Sequence, residues 1–548
     1  MRPEWTLLIP ILYAEMHHTL GGFSLVFRDL PEIVSDIPSR VEPESPVPVL
    51  LIIKDADRFP VDMLEVLIQC RYAGGGIRRF HVPDLPEKIN DPFWSHVFSF
   101  PVRSGYSGRM DIRTAFKIRR HKDGRVFRFT MDNYRGIRHR PFQVHVAGAP
   151  YPRFKSWYLG DLHYHSSLTS DQVEFGAPLS ETAEMARASG LHFIGITDHS
   201  YDLDDDETDY LKKDPHLIKW KRLIREAQRV ENQKHIIMIP GEEVSAGSAG
   251  RRNVHLLVLN NREFFHGSGD GAEKWFETEP ELQITDILES MDDSALAYAA
   301  HPEDRFNFLH RLLLRRGKWT VRDYRHGRLN GLQILNGVPD RSFRRGLRQW
   351  IRLLLSGRKL SIVAGNDAHG NFNRFRQLGL PFLFFVNRDA YIFGRFRTGV
   401  HINGALRRSR LIESLARGHT YVTSGPALSM TLINDSGEKA LHGDTIRGRL
   451  FSLHMECGST DEFGRLHCLK IWLGDTENHQ EHLLHSIRRF SGLHSHIQTI
   501  NVSGLPARGY LRGELIVKKK KRRNFCLTNP VWFHRSEDSL PRSKGCSQ

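Results

Sequence analysis

Leu191-His192-Phe193-Ile194-Gly195-Ile196-Thr197 is a short apolar run that ends in Asp198-His199. A run of this length with polar borders reads as a buried strand. Just downstream, Leu217, Trp220, Leu223, Ile224, Ala227 and Val230 recur at helical spacing. Further apolar runs follow at His235 to Ile239, Val254 to Leu259, Ala295 to Ala300, Gly331 to Leu335 and Leu360 to Ala364. Strands alternating with helices over roughly 270 residues predict an α/β domain with a parallel sheet or a barrel.

Outward from this region the rhythm changes. Residues 1–152 alternate apolar stretches (Val47 to Ile53, Val97 to Val102, Val126 to Met131, Phe142 to Val146) with Gly, Pro and charged turns, which predicts a mostly-β accessory domain with a helix near Val61 to Cys70. The α/β domain takes 153–425. After Ser424-Gly425-Pro426, β-like runs (Leu428 to Leu432, Leu450 to Met455, Leu469 to Leu473, Tyr510 to Val517) predict a C-terminal β-sandwich over 426–535, followed by a tail, 536–548. Lys518 to Arg523 reads as an exposed hairpin tip.

The chain has 548 residues, 40% of them hydrophobic and 26% charged. That composition excludes a disordered, collagen-like or multi-span membrane chain, and no run reaches the roughly 18 apolar residues of a membrane span. Five scattered cysteines without a CxxC pair argue against a disulfide framework or a cysteine zinc ribbon. Arg2 followed by Trp5 to Ala14 faintly resembles a signal peptide but lacks a small-x-small cleavage site, so a cytoplasmic location is expected. Net charge is +15, and residues 301–360 concentrate it, with 15 Lys/Arg against Glu303, Asp304, Asp323 and Asp340. Such a stretch is either a solvated helical face or an attractor of nucleic acid or another anion. Its aromatics, Phe306, Phe308, Trp319, Phe343 and Trp350, either stack on bases or belong to a core.

With 30 histidines, one or two HxH pairs are expected by accident, about the number a random chain gives. His494-x-His496 reads as such an accident, as does the DxH at Asp214 and His216. Gly160-Asp161-Leu162-His163-Tyr164-His165 differs in its company. It follows the apolar segment Trp157 to Leu159, and residues i and i+2 of a strand share a face, so both imidazoles reach one cation. Asp171 follows; His199 ends the first run; Glu242-Glu243 follow Ile236 to Ile239; Val254 opens the run carrying His255; His301 follows Ala300; and Asp367-x-His369 follows Ile362 to Ala364. Imidazoles and carboxylates drawn from strand ends predict a metal site. The acidic run Asp202 to Asp209 reads as a solvated loop.

In their order, DLHYHS, a following SD, GITDH, PGEE, AHP and GNDAH resemble the polymerase-and-histidinol-phosphatase (PHP) family of metallohydrolases. The tail, with GHTYVTSGP at Gly418 to Pro426 and Thr528-Asn529-Pro530-Val531-Trp532, is similar to its CehA/McbA branch. The resemblance implies a distorted (β/α)7 PHP barrel flanked by the N-terminal mostly-β domain and the C-terminal β-sandwich. It further implies three metals: His163, His165, Glu243 and Asp367 at the first; Glu243 bridging to a second with His255 and His301; Asp171, His199 and His369 at the third. Gln172, Asn366 and Gln333 depart from the family's usual glycine, serine and glutamate.

The donors carry no thiolate, which suits two to three divalent ions of Zn, Mn or Fe. The expected function is a metal-dependent hydrolase using metal-bound hydroxide, with no separate protein nucleophile, acting on a small anionic phosphate ester. Alternatives are hydrolysis of a carbamate or aryl ester of the CehA/McbA type, or a nucleic-acid phosphodiesterase drawing on residues 301–360. No residue stands out as the general acid.

Overall fold

A computed structural model describes residues 30–133, 139–169, 176–207, 212–269, 277–304, 311, 315–379, 384–388 and 390–536. The first described residues already form a strand, Glu32–Asp36. Val61–Tyr72, where a helix is expected, is a 12-residue strand paired along its length with Gly108–Arg120. Its buried residues, Val61, Met63, Val66, Ile68, Cys70 and Tyr72, mostly alternate with half-buried or exposed ones, the period of a half-buried strand. The N-terminal region forms a three-stranded and a seven-stranded sheet around a core that includes Ile33, Leu51, Ile68, Phe100 and Phe116.

The central sheet holds the apolar runs as β1 (Trp157–His165), β2 (Phe193–His199), β3 (Ile237–Gly247), β4 (Asn253–Leu259), β5 (Leu296–Ala300), β6 (Gly331–Asn336), β7 (Ser361–Gly365), β8 (Ala368–His369), β9 (Arg397–His401) and β10 (Thr420–Thr423). Their order is β7-β6-β5-β4-β3-β2-β1-β9-β10, with β8 pairing β1. Among the described residues the α-helices are α1 (Leu179–Ser189), α2 (Ser200–Leu203), α3 (Ile218–Lys234), α4 (Ile284–Ser290), α5 (Arg341–Leu355) and α6 (Arg408–Arg417).

This architecture corrects the expected α/β class. The described residues are predominantly β, 45% strand against 15% helix, and the central sheet is a curled half-barrel rather than a (β/α)7 barrel. Pairing is parallel from β1 to β3, antiparallel at β3–β4 and β4–β5, and parallel again to β7. A tight hairpin joins β3 to β4, leaving no room for a crossover helix there. An apolar run reports burial on both faces but not strand direction, so parallel and antiparallel members look alike in sequence.

Curling brings β7 back against β1. The Asp367 amide donates to the His163 carbonyl at 2.9 Å, and a Cβ at Gly365 would meet His163 Cβ at 2.4 Å. Beyond β10 the sheet runs on into strands Arg522–Thr528, Arg508–Lys519, Arg465–Asp475 and Gln480–Ile487. A four-stranded sheet that includes Ala427–Asn434 and Phe451–Gly458 shares their apolar core. Arg40 ties the N-terminal region to this one through Glu462, with Nε 3.0 Å from the carboxylate. Cys70, Cys457, Cys468 and Cys526 are free and buried. Among the described residues no helix is long and apolar enough to cross a membrane.

Candidate metal centre

Strand register assembles the site. Parallel pairing sets His199 of β2 beside Glu243 of β3. Antiparallel pairing sets Ser245 opposite His255, so Glu243, two residues from Ser245, lies diagonal to His255 on the same face. Parallel pairing of β8 with β1 sets His369 beside His165, and their rings stack 4.0 Å apart. His301 follows β5 directly, and Asp367 sits between β7 and β8. These two adopt φ of 28° and 52°, the left-handed region, which costs a non-glycine residue about 1 to 3 kcal/mol and concentrates at functional sites.

Donor atoms converge in three overlapping groups that can hold a metal ion: His165, His199 and His369; His163, His165, Glu243 and Asp367; and Glu243, His255 and His301. The structure thus brings together every expected ligand except Asp171, which lies outside the described residues with Gln172. Glu243 belongs to the second and third groups, as His165 belongs to the first and second. Its Oε1 lies 2.6 Å from His255 Nδ1 and 3.1 Å from His301 Nε2. Its Oε2 lies 3.1 Å from His199 Nδ1, 3.4 Å from His163 Nε2 and 3.5 Å from His165 Nε2, yet is buried without a hydrogen bond, as is His199 Nδ1. Buried ligand-type atoms crowded together and left without hydrogen bonds are what a cation satisfies. The donor set therefore fits divalent metal.

Charge follows the same geometry. Burial alone would raise the Glu243 carboxyl, but His255 and His163 hold it well below the usual range. Asp367 is likewise held down, against its burial, by His163 and His165. Burial opposes protonation of His163, yet Glu243 and Asp367 push it up to about 10. His165, buried and beside His369 and His199, is pushed well below its ordinary value.

Several residues to which the sequence reading gave no role in the site hold the ligands in place. Gln333 Oε1 lies 2.9 Å from His163 Nδ1; accepting its proton leaves the Nε2 lone pair directed into the site. Asp304 Oδ2 lies 3.3 Å from His301 Nδ1 and serves that ring in the same way. Asn336 donates to Asp367 Oδ2 at 3.1 Å, leaving Oδ1 facing His163 and His165 at 3.4 and 3.2 Å. Asp198 accepts from Ser166 N and Oγ and from Thr169 N and Oγ1, and so pins the loop after His165. Asp161 and Asp198 stand inside the motifs themselves, a lone acid two residues before or one before a histidine, the one signal that could have found them.

Gln333→Leu is expected to weaken metal retention about 10- to 100-fold, measured by competition with a chelator; unchanged retention would mean that His163 needs no orienting partner.

Glu242, the neighbour that the sequence set aside, is also buried. Ser200 Oγ donates to its Oε2 at 2.7 Å and the Phe265 amide to its Oε1 at 3.0 Å, but burial dominates and pushes it up to about 8. A carboxyl whose pKa is higher folded than unfolded binds more protons in the folded state, so stability falls as pH rises between its ordinary 4.5 and about 8. In chelated protein Glu242→Gln should lose less stability than wild type across that window, as read by urea midpoints; parallel curves would count against a neutral Glu242.

The acidic run departs from a solvated loop over its first half, although Glu207 is exposed. Asp202, Asp204 and Asp205 are buried, and Asp204 Oδ2 meets His266 Nδ1 at 3.0 Å and Lys213 Nζ at 3.3 Å. Asp209 lies outside the described residues. In the basic stretch, Phe343 and Trp350 are buried on α5 and Trp319 beneath β4, whereas Arg341, Arg344, Arg348 and Arg352 of α5 are exposed. Phe306 and Phe308 lie outside the described residues. His494 and His496 join no metal group among the described residues.

Comparison with known proteins does not uphold the PHP, CehA/McbA-like resemblance. No family model matches the chain, no curated protein matches it, and its β-rich architecture lacks the family's barrel. Similar solved structures include trypsin-activated α-2-macroglobulin from Escherichia coli, at TM-score 0.14, 7% identity and 93% coverage of this chain; the chain spans 24% of that protein. A cycloisomaltooligosaccharide glucanotransferase from Paenibacillus sp. gives TM-score 0.17 and 10% identity over 92% of this chain and 70% of that one. The β-glucuronidase of Parabacteroides merdae gives 0.18 and 9% over 92% and 66%. Likenesses this low carry no argument about fold or function.

Proposed function

We propose that the protein is a metal-dependent hydrolase acting on a small anionic phosphate ester. The observation that carries this reading is the convergence of six imidazoles and two carboxylates in three groups sharing His165 and Glu243. Two to three divalent ions of Zn, Mn or Fe would be held by His163, His165, Glu243 and Asp367, by Glu243, His255 and His301, and by His165, His199 and His369. Bound there, such ions acidify water and polarise a phosphoryl or acyl oxygen.

The chain's own residues do the rest. Gln333 and Asp304 hold His163 and His301 in the tautomers that direct Nε2 inward. Asn336 fixes Asp367. Asp198 and Asp161 hold the backbone on either side. With two carboxylates the site balances only part of the charge of several divalent ions, which favours an anionic substrate. Beside His301 lies a small cleft lined by Ile334, Val338, Phe343, Asp304, Asp340 and Tyr391, with room for about one water molecule.

Reconstitution with Mn, Zn or Fe, followed by assay of chromogenic phosphate mono- and diesters, acyl esters, carbamates and an oligonucleotide, tests the proposal. Metal-dependent turnover of a small phosphate ester is expected. Turnover of acyl esters or carbamates alone, or of the oligonucleotide alone, would replace the phosphate reading.

A further inference from the structure

Arg316 belongs to the basic stretch, but its place is not that of a solvated cation. Its backbone forms a parallel bridge to Asn253, the first residue of β4. The Asn253 amide donates to the Arg315 carbonyl and the Gly317 amide to the Asn253 carbonyl, each at 3.0 Å. Gly317 makes the approach possible, since a Cβ there would come within 2.3 Å of Arg252 Cβ. Asn253 is itself anchored, its Nδ2 donating to the carbonyls of Gly269 and Thr278. Three residues on, Trp319 Nε1 donates to the His255 carbonyl at 3.2 Å. The segment is thus clasped to β4 before and after Arg316, and the guanidinium is carried onto the imidazole of His255, Nη1 against Nε2.

A guanidinium is a donor on every nitrogen and is always charged. His255 turns its Nδ1 to Glu243 and its Nε2 to Arg316. When the group of Glu243, His255 and His301 holds a divalent ion, a fixed positive charge stands next to it, and like charges so placed are stabilised by an anion that touches both. The planar fork of arginine matches two oxygens of a phosphoryl group, which a lysine ammonium does not.

We infer that Arg316 binds the substrate's anionic group, a phosphoryl or similar tetrahedral oxyanion, at the edge of the Glu243, His255 and His301 group. The inference rests on the metal-site reading above and assigns to Arg316 the choice of an anionic over a neutral substrate.

Binding of inorganic phosphate to metal-loaded protein, measured by titration calorimetry, tests it beside elemental analysis and steady-state kinetics. Arg316→Met should weaken phosphate binding and raise KM for the phosphate ester about 10- to 100-fold, the worth of one or two charge-assisted hydrogen bonds, with kcat changed less. Metal content and any turnover of a neutral ester should stay at the wild-type level. Arg316→Lys should recover only part of the loss. Unchanged phosphate binding in Arg316→Met would overturn the inference, as would loss of metal together with equal loss on charged and neutral substrates, which would make Arg316 a prop for His255. Wild type that takes up no metal would overturn the metal-site reading and this inference with it. Arg316-dependent phosphate binding in a protein that turns over no phosphate ester would sustain the inference and remove the proposed reaction.

Discussion

Glu243→Gln is expected to abolish turnover, by about 10³-fold or more, and to cost the protein the ions of two of its three groups. Each oxygen of Glu243 serves a different group: Oε1 faces His255 and His301, and Oε2 faces His199, His163 and His165. Glutamine keeps the shape, removes the charge and turns an NH2 donor towards one set of those nitrogens. Elemental analysis should therefore show a fall in bound metal, while circular dichroism should show the strands intact, because the core of the sheet is made by apolar residues such as Leu162, Ile239 and Leu257. His163→Ala and Asp367→Ala should act in the same direction through the group they share. His494→Ala is the control. Its Nε2 lies 3.3 Å from Asp461, outside every metal group, and both metal and turnover should be unchanged. A Glu243→Gln protein with full metal content and activity would remove the metal centre from consideration.

Asp161→Ala should have the largest effect on stability, roughly 3 to 6 kcal/mol, because it strands buried donors each worth about 1 to 3 kcal/mol. The carboxylate is fully buried and accepts from the amides of His163 and Asn366 through Oδ1, and from Asn366 Nδ2 and the Gly394 amide through Oδ2. It therefore ties β1 to the turn that carries Asp367 and to the approach to β9. Burial pushes its pKa up to about 6 even with those four donors. Urea unfolding should show the drop in midpoint, and metal retention should fall with it, since the turn bearing Asp367 loses its anchor. Asp161→Asn, which keeps one acceptor oxygen, should lie between. A midpoint for Asp161→Ala equal to wild type would mean that the donors find other partners.

Local pattern made the strands and their ligands legible. Leu191 to Thr197, Val254 to Leu259 and Leu360 to Ala364 announce buried strands, and His163 with His165 share a face because side chains alternate along a strand. Those are properties of a few neighbouring residues. The same pattern failed at Val61 to Cys70, where mixed apolar and polar residues fit a short helix until pairing with Gly108–Arg120 fixes the strand. It also failed for the sheet as a whole. Closure, direction and the β3–β4 hairpin depend on which strands meet across the sheet, and a buried run looks the same whether its neighbour is parallel or antiparallel. Arg316 on His255, Gln333 on His163 and Asp161 on Asn366 join residues 61, 170 and 205 positions apart. The sequence by itself determined which side chains can ligate and on which strand faces they lie; only the tertiary structure decided which of them meet and what holds them there, because hydrogen-bond partners that distant are chosen by the curl of the sheet and not by local spacing.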